Sequence, residues 1–144
     1  MKKIFLTLVL VLTAVVGKSQ SLMTFKADSA FLFEYSANLD FNEAWDSGMV
    51  TNLNTVRRYN ESFKNWTINL NSNEVQFGTC DPRQIIEVEK ENNKMVYKNG
   101  SGELCKIFMM KDTETGQDMV FFLGEPKNGK VKGGFVYPQE MVML

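Results

Sequence analysis

Cysteine is the residue type in this chain with the widest choice of chemistry, and there are two, Cys80 and Cys105. Cys80 lies in the turn-forming stretch TCDP, residues 79–82. A thiol placed there can attack a substrate, bind a metal ion or form a disulfide bond. Because the chain has no histidine, the Cys–His and Ser–His–Asp arrangements and histidine-ligated zinc are excluded. The disulfide bond is therefore the chemistry that the sequence favours.

Carboxylates and methionines offer further chemistry that needs no histidine. The acidic segment 40–46 does not match an EF-hand loop, because Trp45 and Thr51 stand where that loop has glycine and glutamate. Glu34 together with an acid of this segment could hydrolyse a glycoside, but the sequence does not set the separation of the carboxylates. The nine methionines are more typical of core packing than of copper binding. We therefore predict a protein that is not an enzyme and has no catalytic, metal or cofactor site.

The first nineteen residues have the layout of a secretory signal peptide. Two lysines precede an uncharged run over residues 4–16, and small or polar residues follow. The run is shorter than the ~20 residues that a helix needs to cross a bilayer. Cleavage after Ser19 or Gly17 leaves no N-terminal cysteine for a lipid anchor. We expect residues 1–19 to be removed and residues 20–144 to reach the periplasm or the medium as a single β-rich domain, without a membrane span or lipid anchor.

The charge of the chain argues against a nucleic-acid partner. The whole chain has a formal charge of −1, and the leader contains three lysines and no acid, so the remaining chain is more acidic. Nucleic-acid binding depends on basic surface. Arg57 and Arg58 stand near Trp66 in the one segment that mixes basic and aromatic residues. An amphipathic strand is the ordinary interpretation of this segment, and an anionic sugar or lipid headgroup is its functional alternative.

Apolar and polar residues alternate from Phe63 onward, with the period of a β-strand. Short polar turns separate the alternating runs, and the Asn-Gly pair at residues 99–100 is the strongest of them. Consecutive strands on short turns make an antiparallel meander. We predict an all-β, mainly antiparallel fold, either a small meander barrel or a strongly curved sheet of about 7–9 strands. At most one short helix is expected, near residues 40–48, where Asp40 can cap it and Gly48 can end it.

Export predicts that Cys80 and Cys105 form a disulfide bond, because an oxidising compartment favours it. The meander raises an objection, since two strands separate the two cysteines. Flat strands at ~4.8 Å spacing would place them ~14 Å apart, whereas a disulfide bond requires Cα atoms within ~7 Å. The bond therefore requires a sharply curled sheet or a turn that crosses its end.

We expect the function to be binding. Two predicted strands, residues 106–111 and 118–123, are apolar on both faces, so both faces must be covered by protein, ligand or partner. The prediction is a non-enzymatic protein that holds a small apolar or amphipathic ligand in its barrel or curved sheet. The alternative is an interaction module of the cell envelope or an inhibitor of a secreted enzyme. The predicted ligand or partner surface consists of Arg57, Arg58, Trp66, Phe108, Met110, Phe121 and Phe122.

Overall fold

The computed structural model describes residues 4–6, 22–57, 64–89 and 94–144. Within these ranges twelve strands form one sheet, and every neighbouring pair is antiparallel. The strands are β1 (Ile4–Leu6), β2 (Leu22–Lys26), β3 (Ser29–Ser36), β4 (Thr51–Arg57), β5 (Asn65–Asn69), β6 (Glu74–Phe77), β7 (Arg83–Glu89), β8 (Lys94–Lys98), β9 (Leu104–Asp112), β10 (Asp118–Leu123), β11 (Lys130–Val136) and β12 (Gln139–Met143). The predicted all-β, antiparallel class is confirmed.

The sheet is curved but not closed. Its strand order is β12-β2-β5-β6-β7-β8-β9-β10-β11-β3-β4, with β1 paired to β9 off this path. Strands β5 to β11 are neighbours in chain order, as a meander requires. The path ends at β12 and β4, so the strongly curved sheet is the correct one of the two predicted architectures.

The ends of the path approach each other because the chain itself joins them. Strands β2 and β3 lie near opposite ends of the strand order, yet only Ala27 and Asp28 separate them in sequence. Similarly, Tyr137 and Pro138 alone separate β11 from β12. We call these two-residue connections kinks, because each divides an extended stretch of chain into two strands. At Pro138 the missing backbone N–H also removes a hydrogen-bond donor. With the short strand β1, these divisions bring the number of described strands to twelve, above the predicted 7–9.

The curl brings opposite walls of the sheet into contact. The ring centroids of Trp66 on β5 and Phe122 on β10 are 6.0 Å apart, although four strands lie between β5 and β10 in the strand order. Buried side chains on this concave face form what we call the inner cluster. Its buried members are Met23, Phe25, Ala27, Ala30, Trp66, Ile68, Val75, Ile85, Met95, Tyr97, Cys105, Ile107, Met109, Val120 and Val136, and half-buried side chains, including Leu32 and Phe122, pack against them.

The opposite face carries a second core, which we call the outer cluster. Strand alternation produces it: on β10, Val120 points inward while Phe121 points outward. Its buried members are Phe33, Tyr35, Phe41, Ala44, Phe108, Met110, Met119, Phe121, Leu123 and Val131. Strands β9 and β10 are thus covered on both faces, as their sequence requires.

A short helix, α1 (Phe41–Asp46), covers the outer cluster. Asp40 caps it, because its carboxylate accepts a hydrogen bond of 2.8 Å from the Glu43 amide. Gly48 follows the helix with φ of 71°, a conformation that glycine adopts without strain. The single short helix predicted near residues 40–48 is confirmed. In the described part of the chain, no helix has the length and apolar character needed to cross a membrane.

Candidate functional site

The predicted disulfide bond between Cys80 and Cys105 is wrong: both cysteines are free thiols. Cys80 lies in the turn after β6, whereas Cys105 is on β9, and strands β7 and β8 lie between. The Cys105 side chain is buried in the inner cluster. Three strand spacings separate the two positions, ~14 Å in a flat sheet and about twice the Cα separation that a disulfide bond allows, and the curl of the sheet does not bring the two thiols together.

The two thiols are expected to react at different rates. Cys105 is buried, and burial raises the pKa of its thiol, so little thiolate is present near neutral pH. Cys80 is only partly buried. We expect both thiols to react with Ellman's reagent in unreduced, denatured protein, and Cys105 to react at least ~tenfold more slowly than Cys80 in the folded protein. Equal reaction rates of the two thiols in the folded protein would contradict this placement. Denatured, unreduced protein without a reactive thiol would show that the predicted disulfide bond exists.

The residues of the predicted ligand or partner surface do not lie together. Trp66 and Phe122 belong to the inner face, whereas Phe108, Met110 and Phe121 are buried in the outer cluster beneath α1. Arg57 ends β4, but its side chain and all of Arg58 lie outside the described residues. Of these residues, Phe122 lies two positions before Gly124, which lines a cleft.

That cleft opens at one end of the curved sheet and has a volume of about 620 Å³. We call it the end cleft. Three glutamates and three lysines provide its charged lining: Glu34, Glu103, Glu125, Lys127, Lys130 and Lys132. Hydrolysis of a glycoside by Glu34 would require one of the acids of segment 40–46 nearby. The structure separates them, because Asp40, Glu43 and Asp46 line a different, shallow groove beside α1.

The ladder between β3 and β11 positions the two sides of the end cleft. Lys132 is the direct partner of Glu34, and Lys130 that of Ser36. Because side chains alternate along a strand, Glu34 and Lys132 point to the same face as Leu32 and Gly134, the next pair on that face. The end cleft is therefore continuous with the inner face of the sheet.

Two ion pairs neutralise most of the charge in the end cleft. Lys130 Nζ lies 3.0 Å from Glu34 Oε1, and the Glu34 side chain is only 16% exposed. Lys127 Nζ pairs with Glu103, and its hydrogen bond, with one from Asn99, lowers the pKa of that carboxyl. The same pairing raises the pKa of Lys127, so both groups stay ionised around neutral pH.

The two remaining charges are not equivalent. Glu125 Oε1 accepts a hydrogen bond of 2.7 Å from the Leu104 amide, which occupies its carboxylate. Lys132 is exposed and makes no ion pair with any residue inside the described ranges. Its ammonium group is therefore the charge in the end cleft that is free to meet a ligand.

The inner face next to the end cleft is apolar, and we call this layer, formed by Leu32 and Phe122, the apolar floor; the cleft lining itself consists of the charged residues with Gly124 and Asn128. Leu32 and Phe122 lie one layer below Glu34 and Lys132, and both are half-buried members of the inner face. Gly134 makes room for them: a Cβ atom at this position would lie 2.6 Å from Phe122 Cζ and 3.0 Å from Leu32 Cδ2. The charged lining of the end cleft, its charged rim, therefore lies beside an apolar layer of the inner face.

The sequence analysis named Glu34 and Phe122 separately but did not predict the charged rim. Glu34 and Lys130 are 96 residues apart in sequence, and no local pattern links them. The one usable signal was the alternation of charged with small residues in KVKGG, residues 130–134, where lysines share a strand face with glycine. In the described residues, no group of three or more cysteine, aspartate or glutamate side chains is arranged to hold a metal ion.

The end cleft is thus a charged cleft with two ion pairs, beside the apolar floor of the inner face. Comparison of the chain with family models, curated proteins and solved structures finds no match.

Proposed function

We propose that this chain is an exported, non-enzymatic binding protein that holds a small anionic amphiphile in the end cleft. The observation that carries the proposal is the position of Leu32 and Phe122. These two inner-face side chains are only half-buried, and they lie directly beneath charged residues. A ligand with a polar head and an apolar chain would satisfy both layers at once.

The expected charge of the ligand's head group follows from the ion pairs and hydrogen bonds that the residues of the end cleft already make. Glu34 and Glu103 are neutralised by lysines, and Glu125 accepts from a backbone amide. Lys132 is left to bind a carboxylate, sulfate or phosphate head group. Hydrogen bonds to a charged group are the strong ones, because the ionised partner shortens and strengthens them.

The size of the end cleft supports a small ligand. Its volume of about 620 Å³ lies within the ~300–1,000 Å³ range of small-molecule sites. Below the floor, Trp66 packs against Phe77 with ring centroids 4.7 Å apart, so aromatic rings already fill the interior at that level. The apolar chain of the ligand would therefore cover Leu32 and Phe122 and end near Trp66.

Export completes the proposal and rests on the leader sequence. In the leader, residues 1–19, two lysines precede an uncharged run over residues 4–16, the layout that directs a chain across a membrane. An exported protein meets amphiphiles released from membranes, and a binding role needs no catalytic group.

Titration with laurate tests the proposal. Laurate is expected to bind the processed protein saturably and to change its tryptophan fluorescence, since Trp66 contacts Phe122 of the apolar floor. Dodecylamine, which has the same chain and a cationic head, is expected to bind at least ~tenfold more weakly, because a charge-assisted hydrogen bond contributes about 1.5 kcal/mol or more. Lys132→Gln should weaken laurate binding by a similar factor.

A lysine elsewhere provides the matched control. Lys26 is 51% exposed and pairs with Glu140 on β12, so Lys26→Gln removes the same charge without touching the end cleft. Equal weakening by Lys26→Gln and Lys132→Gln would place the head group elsewhere. Failure of laurate to bind at all would overturn the proposal and leave the interaction module as the candidate function.

A further inference from the structure

Strand β1 occupies a part of the β9 edge that β8 does not reach. Strand β8 pairs with β9 only from Leu104 to Phe108. Beyond this ladder, on the same edge, β1 pairs with β9, with Ile4 opposite Asp112 and Leu6 opposite Met110. The opposite edge of β9 is filled by β10 over its whole length there. A three-residue segment therefore pairs with the end of β9 that β8 does not reach.

The backbone groups that β1 meets can be assigned. The Asp112 amide donates a hydrogen bond of 2.8 Å to the Gln117 carbonyl, so it points toward the β10 side. Successive residues of an antiparallel strand direct their N–H and C=O groups to opposite edges. The N–H and C=O of Lys111 therefore point toward β1, where Phe5 is the partner in register.

Removal of the leader takes this partner away. Residues 4–6 lie inside the segment expected to be cleaved, and processing then leaves the N–H and C=O of Lys111 at an open sheet edge. An open edge is a ready template for another strand. We propose that the processed protein binds an extended apolar segment of a partner protein at the β9 edge beside Met110–Asp112.

The chain itself indicates the chemistry of the occupant. The segment that fills this edge in the full-length chain is Ile-Phe-Leu, three apolar residues of which isoleucine and phenylalanine favour extended backbone. Addition of a strand to a sheet edge is an established mode of peptide recognition, in which backbone hydrogen bonds provide affinity. The inference rests on the export part of the proposed function and is independent of the end cleft.

The test uses protein that has been exported and processed by a secreting host from the full-length gene, with its N-terminus established by mass spectrometry. A synthetic peptide of residues 2–8, KKIFLTL, is titrated into isotope-labelled protein. We expect saturable binding and at least ~tenfold slower hydrogen exchange at the Lys111 amide, because that amide becomes hydrogen-bonded. Methylation of the peptide nitrogen of Phe5 should weaken binding about tenfold, since it removes the donor to the Lys111 carbonyl.

The matched control is the peptide methylated at the nitrogen of Leu6, whose N–H points away from β9 in this register. It should bind like the parent peptide. Absence of binding, an unchanged Lys111 amide, or equal effects of the two methylations would overturn the proposal. A dimeric processed protein whose Lys111 amide is protected without peptide would assign the edge to a second copy instead. Recovery of only uncleaved chain would overturn the export part, whatever the laurate titration shows.

Discussion

The Phe121→Ala variant is expected to lose about 3–5 kcal/mol of unfolding free energy, the cost of emptying a large aromatic site in a packed core. Phe121 is 0% exposed. Its ring centroid lies 5.0 Å from that of Phe41, 5.1 Å from Trp45 and 5.3 Å from Phe108. The ring therefore joins helix α1 to strands β9 and β10, and the contacts on all sides leave little freedom to fill the cavity.

Urea denaturation followed by tryptophan fluorescence measures this loss. Phe31→Ala is the matched control, because Phe31 is also an aromatic residue on a strand but is only half-buried beside Phe135 and Tyr137. We expect it to cost less than half as much as Phe121→Ala, in proportion to the smaller area withdrawn from water. Similar losses for the two variants would mean that α1 does not cover Phe121 as described.

The second large effect is expected from Gly133→Ala, which should lower the unfolding free energy by about 2–3 kcal/mol through overpacking. A Cβ atom at Gly133 would collide with the backbone carbonyl of Phe122 and lie 2.7 Å from Leu123 Cδ2. Gly133 pairs directly with Leu123 across the β10–β11 ladder. A backbone atom cannot move aside as a side chain can, so the two strands must separate.

Gly124→Ala is the control for the glycine effect. Its Cβ atom would meet only the Lys132 carbonyl, at 3.5 Å, which is ordinary van der Waals contact. Its φ is also outside the positive range that disfavours alanine. We expect a change within about 0.5 kcal/mol, as for most substitutions away from a strained site. A loss at Gly124 as large as that at Gly133 would contradict the close approach of β10 and β11.

The fold class could be predicted because its signals are local. The two-residue alternation of strands such as β10 places Val120 and Phe121 on opposite faces whatever lies around them. The cap of α1 is local too, since Asp40 bonds an amide three residues further on. The alternation does not say which face is concave, however. Phe121 and Phe122 were therefore predicted together as one surface, whereas they lie on opposite sides of the sheet.

The candidate site could not be predicted, because it depends on pairing between distant strands. The end cleft exists because β3 lies beside β11, which places Glu34 near Lys130. No sequence pattern determines that β3 and β11 become neighbours, since many strand orders share the same alternation of apolar and polar residues. The disulfide prediction failed for the same reason: compartment chemistry favoured it, but the strand order kept Cys80 and Cys105 apart.

By itself, the sequence of this protein determined its antiparallel strands, its capped helix and the absence of all histidine chemistry. Composition and short-range periodicity are sufficient for these, because each depends on residues a few positions apart. The tertiary structure alone decided how the sheet curls and which side chains of each apolar strand face inward. It also decided where the charged residues of the end cleft lie beside the apolar floor. Two-residue kinks at Ala27–Asp28 and Tyr137–Pro138 join strands at opposite ends of the order. Their effect is global, because each kink takes the chain from one end of the strand order to the other and so changes which strands become neighbours.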